Sequence, residues 1–296
     1  MTQFPSYLTI TNHPTQILDQ LVEKWRPDKI AVLVDENTFE HCLPLVKVEG
    51  TSIIQIESGE SNKNLETCSH IWSHMTQHAF TRKSLLVNLG GGVIGDMGGF
   101  AASTYKRGIK FVNMPSTLLS QVDASIGGKL GIDFEGFKNH IGLFREPDHV
   151  IVYPGFLATL PQREMKSGFA EVIKHSLIAD KTHWEYLKTT TFNDLNWNEM
   201  IPKSIAIKQE VVSKDPTEQG YRKVLNFGHT LGHAIESHFL DSETPLLHGE
   251  AIAIGMILES HLSYQKQWLT AKELETITRY ILGTYPNLFI SLPEIK

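Results

Sequence analysis

The first half of the chain alternates short apolar runs with segments of helical periodicity, and this alternation constrains the fold more than any other feature of the sequence. The runs are Lys29–Asp35, Ser52–Glu57, Ser84–Leu89, Lys110–Met114 and His149–Tyr153, with helical segments at Leu65–Ala79 and Asp96–Tyr105. Short runs that end in polar residues, glycine or proline are typical of buried strands. Strands that alternate with helices predict a parallel sheet covered by helices, and therefore an α/β unit.

The second half changes character, because from Gln162 onward the β-branched runs disappear and helical periodicity takes over. The predicted helices are Arg163–Ile178, His183–Lys188, Asn198–Val212, Val224–Phe239, Gly249–Gln265 and Thr270–Leu282. The segment Pro154–Pro161 separates the two patterns. We therefore predict a nucleotide-binding α/β domain over residues 1–153 and an all-α domain over residues 154–296.

Composition favours a soluble enzyme. The 296 residues carry a formal net charge of -6, whereas nucleic-acid binders normally carry a basic stripe. The two cysteines, Cys42 and Cys68, cannot form a disulfide framework, which suits a reducing cytoplasm. Residues 1–14 lack the pattern of a signal peptide, and the longest run of apolar and glycine residues, Ala251–Leu258, is too short to span a bilayer. We expect a cytoplasmic protein that binds neither nucleic acid nor membranes.

A glycine-rich segment, Gly90–Asp96, joins a predicted strand to a predicted helix. Glycine lets the backbone approach a ligand closely, and the free N–H groups at a helix N-terminus attract anions. Three of its glycines fit the dinucleotide spacing G-x-G-x-x-G literally, although the segment is not the standard fingerprint. We interpret it as a diphosphate-binding loop, with a tight turn as the alternative.

Two further strand ends offer polar groups to the same cofactor. The turn Pro115–Thr117 follows one strand and offers two hydroxyl groups. The segment Asp35–Asn37 follows another and has the chemistry to hold a ribose or an adenine. As an isolated signal the second is weak, and a plain polar turn is the favoured interpretation.

Histidines and a carboxylate in the second half suggest a metal site. His229 and His233 lie four residues apart, which places them on one face of a helix. His248 starts a further predicted helix in the sequence His-Gly-Glu, and Glu171 lies on an upstream helix. A carboxylate with two or three imidazoles suits a catalytic divalent metal, with zinc the leading candidate. The alternative is that the paired histidines line a helix interface. Nine of the other histidines are interpreted as surface or packing residues.

Basic residues near glycine turns and the histidine helix suggest an anion pocket. The set comprises Asp123 and Lys129 around a glycine pair, Lys138 and Asn139 in an expected loop, Lys208 on a predicted helix and Arg222 just before the histidine helix. Each lysine alone is more often solvated. Together they suggest a pocket for a phosphorylated and carboxylated sugar acid, held by charge-assisted hydrogen bonds.

These motifs, taken in order, resemble the 3-dehydroquinate synthase family from about Val34 to Gly255. The resemblance rests on Gly90–Asp96, Lys106–Gly108, Val122–Lys129, Lys138–Asn139, Ala170–Lys174, Asn226–His233 and His248–Glu250. It implies a Rossmann-like N-terminal domain, a helical C-terminal domain, bound NAD, one zinc ion with cobalt as an alternative, and a homodimer. It also implies conversion of 3-deoxy-D-arabino-heptulosonate 7-phosphate to 3-dehydroquinate and phosphate in the shikimate pathway to aromatic amino acids.

The resemblance also implies roles for individual residues. The metal ligands would be Glu171, His229 and His248. The substrate site would comprise Asp123, Lys129, Lys174, Lys208, Arg222, Asn226 and His233, with Lys138 and Asn139 nearby. Arg107 matches an arginine that reaches the neighbouring subunit's phosphate site. NAD would contact Asp35, Asn37, Glu60, Lys63, Gly90, Gly91, Gly92, Val93, Asp96, Ser116, Thr117, Lys129 and Lys138.

The implied chemistry is a transient oxidation by NAD at a zinc-polarised hydroxyl, followed by phosphate elimination, re-reduction and intramolecular aldol closure. His233 and Lys174 are the candidates for proton handling. Ser116 stands where the family commonly has threonine. Family members usually extend beyond a position equivalent to Lys296 into a basic segment, so we expect the C-terminal domain to be incomplete and assign Lys296 no role.

Three other functions are open at this level. The first is a related sugar-phosphate cyclase that makes another carbocycle. The cations Lys208 and Arg222, which suit a substrate carboxylate, weigh against it. The second is a polyol or alcohol dehydrogenase of the same two-domain fold, although a neutral polyol needs no such charge. The third is a non-catalytic NAD-binding subunit.

Overall fold

A computed structural model describes residues 4–46, 50–239, 242, 244–286 and 288. The chain divides into two compact units, an N-terminal unit of Met1–Leu160 and a C-terminal unit of Pro161–Lys296. In the described part of the chain, no helix combines the length and the apolar character that a membrane crossing requires. Lys296 lies outside the described residues.

The N-terminal unit contains a parallel sheet with helices, as the alternating pattern predicts. Its strands are β1 (Leu8–Ile10), β2 (Ile30–Asp35), β3 (Ser52–Ile56), β4 (Leu85–Gly90), β5 (Lys110–Pro115), β6 (Lys129–Phe134), β7 (Phe137–Phe144) and β8 (His149–Val152). Six of them form one sheet in the order β1-β8-β5-β4-β2-β3, in which every neighbouring pair is parallel. Its helices are α1 (Pro14–Trp25), α2 (Glu36–His41), α3 (Leu65–Gln77) and α4 (Gly92–Thr104).

The central strands are buried on both faces, which explains their continuous apolar character. On one face, Leu33 and Leu86 pack in a cluster with residues of α3 and α4. On the other face, Val32 and Val87 pack with Leu18 of α1. Alternate residues of each strand therefore serve two separate cores.

Sequence periodicity misses β1, α1 and the antiparallel hairpin of β6 and β7. Lys138 and Asn139 were predicted to lie in a loop, and this prediction is wrong, because both lie on β7. The signal was present in the two-residue turn Glu135-Gly136, where both φ angles are positive (49° and 81°). Such a turn joins hairpin strands, and its glycine favours that backbone conformation.

Helix α4 begins at Gly92, four residues before the predicted start at Asp96. Its glycines allow close packing on the sheet. A Cβ atom on Gly98 would lie 2.0 Å from Oδ1 of Asn88 on β4. This packing against the sheet offsets the low helix propensity of the glycines.

The C-terminal unit is helical, as predicted. Its helices are α5 (Gln162–Ala179), α6 (Lys181–Thr189), α7 (Trp197–Lys214), α8 (His229–Phe239), α9 (His248–Gln265) and α10 (Ala271–Thr284). One predicted helix, Val224–Phe239, is wrong at its start. A short 3₁₀ turn ends at Asn226, and Gly228 then adopts φ +80°, which interrupts the helix before α8 begins.

Helices α8 and α9 approach so closely that Gly255 cannot carry a side chain. A Cβ atom there would lie 1.9 Å from the carbonyl oxygen of Gly228. We expect Gly255→Ala to lower the free energy of unfolding by about 1–3 kcal/mol or more, because backbone cannot move aside cheaply. The control is Gly283→Ala in α10, where nothing lies within 4 Å. It should change stability by less than about 1 kcal/mol, in the stabilising direction. Urea denaturation of both variants measures the difference, and equal effects would contradict this packing.

Both thiols are buried, and their reactivity should reflect it. Burial, with a smaller contribution from the charge of Asp35, raises the pKa of Cys42 to about 11. Burial raises the pKa of Cys68 to about 12. Because the thiolate is the reactive form, we expect neither to react with a disulfide reagent at pH 8 in the native protein, and both to react after unfolding. Rapid modification of the native protein would contradict this.

Candidate active site

The strand order of the N-terminal unit changes direction between β2 and β4. From β2 the chain continues outward to β3, whereas from β4 it continues to β5 on the other side. Ligands of open α/β sheets bind at the carboxyl ends of the strands at such a point. Here β2 ends at Asp35 and β4 ends at Gly90. The sheet therefore brings two of the predicted cofactor segments to neighbouring strand ends.

The glycine loop forms a narrow cradle at the N-terminus of α4. Gly91 is the N-cap residue and has no side chain with which to cap the helix. A Cβ atom on Gly91 would lie 3.1 Å from the methyl group of Thr117. The backbone N–H of Ser116 donates to the carbonyl of Gly90 at 2.9 Å, which fixes the two strand ends. Val93 is partly buried and packs against the core. The cradle suits a diphosphate, because backbone donors and the helix dipole favour an anion there.

At the end of β2 the structure favours the polar-turn interpretation. Oδ1 of Asp35 accepts hydrogen bonds from the backbone N–H of Thr38 at 2.7 Å and from its hydroxyl at 2.9 Å. This carboxylate therefore caps α2. Asn37 is exposed and its amide contacts Glu36 at 3.5 Å. If Asp35 contacts a nucleotide, it does so while its Oδ1 also caps α2.

Lys63 contacts two other predicted site residues, Asp96 and Asn139. Its Nζ donates to Oδ2 of Asp96 and to Oδ1 of Asn139, both at 2.6 Å. The side chain of Lys63 is buried, and desolvation by itself would lower its pKa. The negative charges of Asp96 and Glu60 outweigh this effect, so the pKa of Lys63 is raised. Sequence reasoning assigned these residues to two ligands and did not foresee that they contact each other. It also missed Asp133, whose Oδ1 accepts from the backbone N–H of Asn139 at 2.7 Å.

A bulge in the hairpin presents Asn139. The register shifts between Ile132 and Phe134, and Asn139 adopts a left-handed φ of +52°. Asparagine tolerates this conformation better than most residues, which explains its position at the bulge. The side chain can then reach Lys63.

The other predicted substrate residues of this unit have separate positions. Lys129 is exposed at the start of β6, after Gly127 and Gly128 with φ +99° and +63°. Lys138 is half-buried on β7. Asp123 is half-buried in the π-helical turn Ser120–Ala124. Turns of this kind occur frequently at functional sites.

In the C-terminal unit, three helices bring the predicted metal ligands together. Oε1 of Glu171 on α5 lies 3.5 Å from Nε2 of His229 on α8 and 3.8 Å from Nε2 of His248 on α9. Two ligands of a tetrahedral ion with bonds of ~2.1 Å lie roughly 3.4 Å apart. His229, His233 and His248 also form a group, since each offers a nitrogen within 4.8 Å of the others. The donor set and its spacing fit a zinc ion.

The carboxylate of Glu171 is fully buried, and its other oxygen contacts the ammonium of Lys174. Lys174 itself is 1% exposed. A buried carboxylate is costly unless it is paired, so this ammonium and the histidines stabilise it. The predicted substrate residue Lys174 is thus part of the metal-ligand cluster.

Each ligand histidine has an acceptor at its other nitrogen. Nδ1 of His229 lies 3.2 Å from the carbonyl oxygen of Phe227, and Nδ1 of His248 lies 3.4 Å from Oε2 of Glu236. Burial lowers the pKa of His248, but the hydrogen bonds with Glu171 and Glu236 outweigh it and raise the pKa to about 9. Sequence reasoning missed Glu236, although it lies one helical turn after His233 on α8.

Glycines position the ligand helices. A Cβ atom on Gly249 would lie 1.9 Å from the carbonyl oxygen of Ser167, so α9 begins in direct contact with α5, one turn from Glu171. Glu250, which belongs to the same motif as His248, caps α9 by accepting from the N–H of Leu247. It also forms an ion pair with Arg163. Glycines of the histidine motifs thus serve close helix contacts, and Glu250 fixes the start of α9.

The start of α8 has a cap that the sequence did not reveal. Glu259 on α9 accepts hydrogen bonds from the backbone N–H groups of Gly228 at 2.8 Å and Leu231 at 3.4 Å. A carboxylate at a helix N-terminus satisfies free N–H groups and complements the helix dipole. This contact fixes the turn that carries His229.

Two predicted basic residues of this unit are buried rather than solvated. Lys208 on α7 is 6% exposed, and Arg222 in the turn before α8 is 4% exposed. The guanidinium of Arg222 donates to the carbonyl of Pro216 at 2.7 Å. Lysine and arginine are rarely buried unless they are paired or bind an anion. Asn226 is exposed, and its amide donates to Glu218 at 2.8 Å.

Arg107 is exposed in the N-terminal unit, where it lines a surface concavity with Arg82 and Lys83. Its backbone is left-handed, as are those of Lys106 and Gly108 on either side. Such strain in non-glycine residues often marks a functional position.

Comparison with known proteins identifies the family. The family models for the 3-dehydroquinate synthase N-terminal and C-terminal domains match residues 53–167 and 168–289. A 3-dehydroquinate synthase of Parabacteroides distasonis is 41% identical over 284 residues, covering 94% of this chain and 80% of the relative.

Solved structures agree on the fold. A 2-epi-5-epi-valiolone synthase of Streptomyces hygroscopicus subsp. jinggangensis, with NAD+ and Zn2+ bound, superposes with a TM-score of 0.84 at 25% identity, covering 99% of this chain and 84% of that one. A 2-deoxy-scyllo-inosose synthase with carbaglucose-6-phosphate, NAD+ and Co2+ has the same fold, with a TM-score of 0.81 at 24% identity, covering 96% and 81%. With both family models matched in order and a close relative aligned over most of its length, this chain belongs to the 3-dehydroquinate synthase family.

Proposed function

We propose that the chain is a 3-dehydroquinate synthase, a lyase that converts 3-deoxy-D-arabino-heptulosonate 7-phosphate to 3-dehydroquinate and phosphate. The observation that carries the proposal is the buried Glu171, whose Oε1 faces Nε2 of both His229 and His248. These are the residues that the family resemblance assigns to the metal. The 41% identity to a relative of this name supports the same activity.

We assign NAD to the N-terminal unit. The glycine cradle at Gly90–Gly92 would hold the diphosphate, with the hydroxyl groups of Ser116 and Thr117 beside it. Lys63 pairs with Asp96 of α4 and donates to Asn139 of the hairpin, which links the first turns of α4 to the hairpin. The exposed Asn37, the neighbouring Asp35, and Glu60 remain candidates for the nucleoside end.

We assign one zinc ion, or cobalt, to Glu171, His229 and His248. When bound, the cofactors supply reversible hydride transfer at the substrate's C5 carbon and polarisation of its oxygen. The chain itself has to supply an anchor for each charged end of the substrate and a group that moves protons. An anchored substrate keeps its reacting atoms oriented, which is a large part of the rate enhancement of such reactions.

Buried cations are suited to the anchoring role. We assign Lys208 and Arg222 to the substrate carboxylate and phosphate, together with Asn226. Lys129, Lys138, Asn139 and Asp123 of the N-terminal unit are further candidates for substrate contacts. A desolvated cation binds an anion more strongly than an exposed one, since water screens it less.

Of the two candidates for proton handling, His233 and Lys174, we choose His233. Its ring is exposed and lies in the histidine group, so it can exchange a proton with a substrate hydroxyl group. The ammonium of Lys174 is buried against Glu171 instead. We therefore assign Lys174 to holding the metal-binding carboxylate.

We further propose a cytoplasmic homodimer. The two free thiols, Cys42 and Cys68, suit a reducing compartment. Arg107 is exposed and would reach the neighbouring subunit's phosphate site. Phe137 and Phe144 are 64% and 60% exposed on the hairpin, and exposed aromatic side chains of this kind suit a contact between subunits.

The alternatives are less well supported. The buried cations Lys208 and Arg222 match a substrate with two anionic ends, whereas a related cyclase acts on a substrate without a carboxylate. The structures of such cyclases reach only 24–25% identity, against 41% for the relative from Parabacteroides. A non-catalytic subunit would have no need of the metal-ligand geometry.

The metal assignment predicts that Glu171→Gln abolishes tight zinc binding, because the amide cannot supply the buried negative charge. After dialysis against a weak chelator, the wild-type protein should retain one zinc ion per chain and the variant almost none, as measured by atomic emission. Glu185→Gln, an exposed change on α6, is the control and should retain zinc. Equal zinc content in Glu171→Gln and the wild type would refute the assignment.

The substrate assignment predicts that Lys208→Met lowers kcat/KM by about 10- to 100-fold, the range of one charge-assisted hydrogen bond. The assay couples the product to dehydroquinase. Lys214→Met on the same helix is the matched control, since Lys214 is exposed and pairs with Glu210. It should leave kcat/KM unchanged. Full activity in Lys208→Met, or no turnover of the heptulosonate phosphate by the zinc-loaded wild type, would count against the proposal.

A further inference from the structure

We propose that Glu236 is a positioning residue, which holds His248 in the orientation and tautomer that metal binding through Nε2 requires. The inference rests on the metal site proposed above. Glu236 acts through the ring of His248.

The two nitrogens of His248 have different neighbours. Nε2 points toward the ligand carboxylate of Glu171, at 3.8 Å, and Nδ1 points toward Oε2 of Glu236, at 3.4 Å. A neutral imidazole that donates from Nδ1 has its lone pair on Nε2. The carboxylate of Glu236 therefore favours the tautomer in which Nε2 is free to bind a metal.

The second histidine ligand is arranged in the same way with a weaker acceptor. Nε2 of His229 faces Glu171, and Nδ1 lies 3.2 Å from the carbonyl oxygen of Phe227. Both ligand rings thus present Nε2 to the same carboxylate and Nδ1 to an acceptor. The repetition on two separate helices indicates that the arrangement belongs to the site and is not incidental to one side chain.

Burial shows that the carboxylate of Glu236 is held in place. Glu236 is 8% exposed on α8, seven residues after His229 and therefore on the same helix face. Burying a carboxylate costs free energy unless hydrogen bonds or positive charge compensate. A divalent ion bound through His248 would polarise the Nδ1–H group and strengthen this hydrogen bond, so the carboxylate gains most when the metal is present.

The test compares Glu236→Gln, Glu236→Leu and the wild-type protein by zinc affinity in competition with a chromophoric chelator. The glutamine keeps an acceptor but not the charge, and the leucine keeps neither. We expect zinc affinity to fall about 10-fold for Glu236→Gln and up to about 100-fold for Glu236→Leu, the range for such outer acceptors. The visible absorption of the Co2+-substituted protein should shift in both variants. Glu275→Gln, an exposed change on α10, is the control and should match the wild type.

The metal-free melting temperature separates positioning from a structural role. It should change little in Glu236→Gln, because the glutamine still accepts a hydrogen bond from Nδ1 of His248. A fall in this melting temperature that matches the loss of zinc affinity would overturn the inference. Wild-type zinc affinity and an unshifted Co2+ spectrum in both variants would also overturn it, and would leave the metal site intact. A wild-type protein that binds no zinc would instead refute the proposed metal site, and this inference with it.

Discussion

The buried carboxylate of Glu171 is the constraint on which the C-terminal unit depends. Taking a carboxylate out of water is unfavourable unless cations or hydrogen-bond donors surround it. The ammonium of Lys174, from the same helix, contacts one oxygen, and His229 and His248 face the other. Three helices have to meet at this point for the group to be stable, so the requirement that fixes the helix packing also builds the metal-ligand set.

Small residues make that meeting geometrically possible. Gly249 lets α9 start against the backbone of α5, and Gly255 lets α9 pass within contact of the turn at Gly228. Interiors pack to near-crystalline density, so a single added methyl group at such a position forces the helices apart. In the N-terminal unit Gly98 has the same role between α4 and β4. The glycines of the motifs therefore set distances between elements, while their polar neighbours supply the chemistry.

Much of the fold could be predicted because it depends on local patterns. Continuous apolar runs identified the central strands, and helical periodicity identified the helices of the C-terminal unit. The hairpin of β6 and β7 was missed because β7 is largely exposed and β6 buries only Leu130 and Ile132 as an alternating apolar pair, which is too short a pattern to predict a strand. The start of α8 was missed because the left-handed backbone at Gly228 depends on contact with α9. Within the site, contacts between predicted residues, such as Lys63 with Asn139, were not foreseen.

The sequence by itself determined the α/β and helical halves, because each depends on residues a few positions apart. It also gave the order of the motifs, and the resemblance that rests on this order implied the metal-ligand candidates. Only the tertiary structure decided which atoms face one another. It assigned Asp35 to a helix cap, Lys174 to the ligand carboxylate and Glu236 to the ring of His248. The first two contacts join residues three positions apart, but whether such a pair forms depends on burial and on the cost of leaving a buried charge without compensation. The third joins two helices, and the packing of α8 against α9 selects its partner.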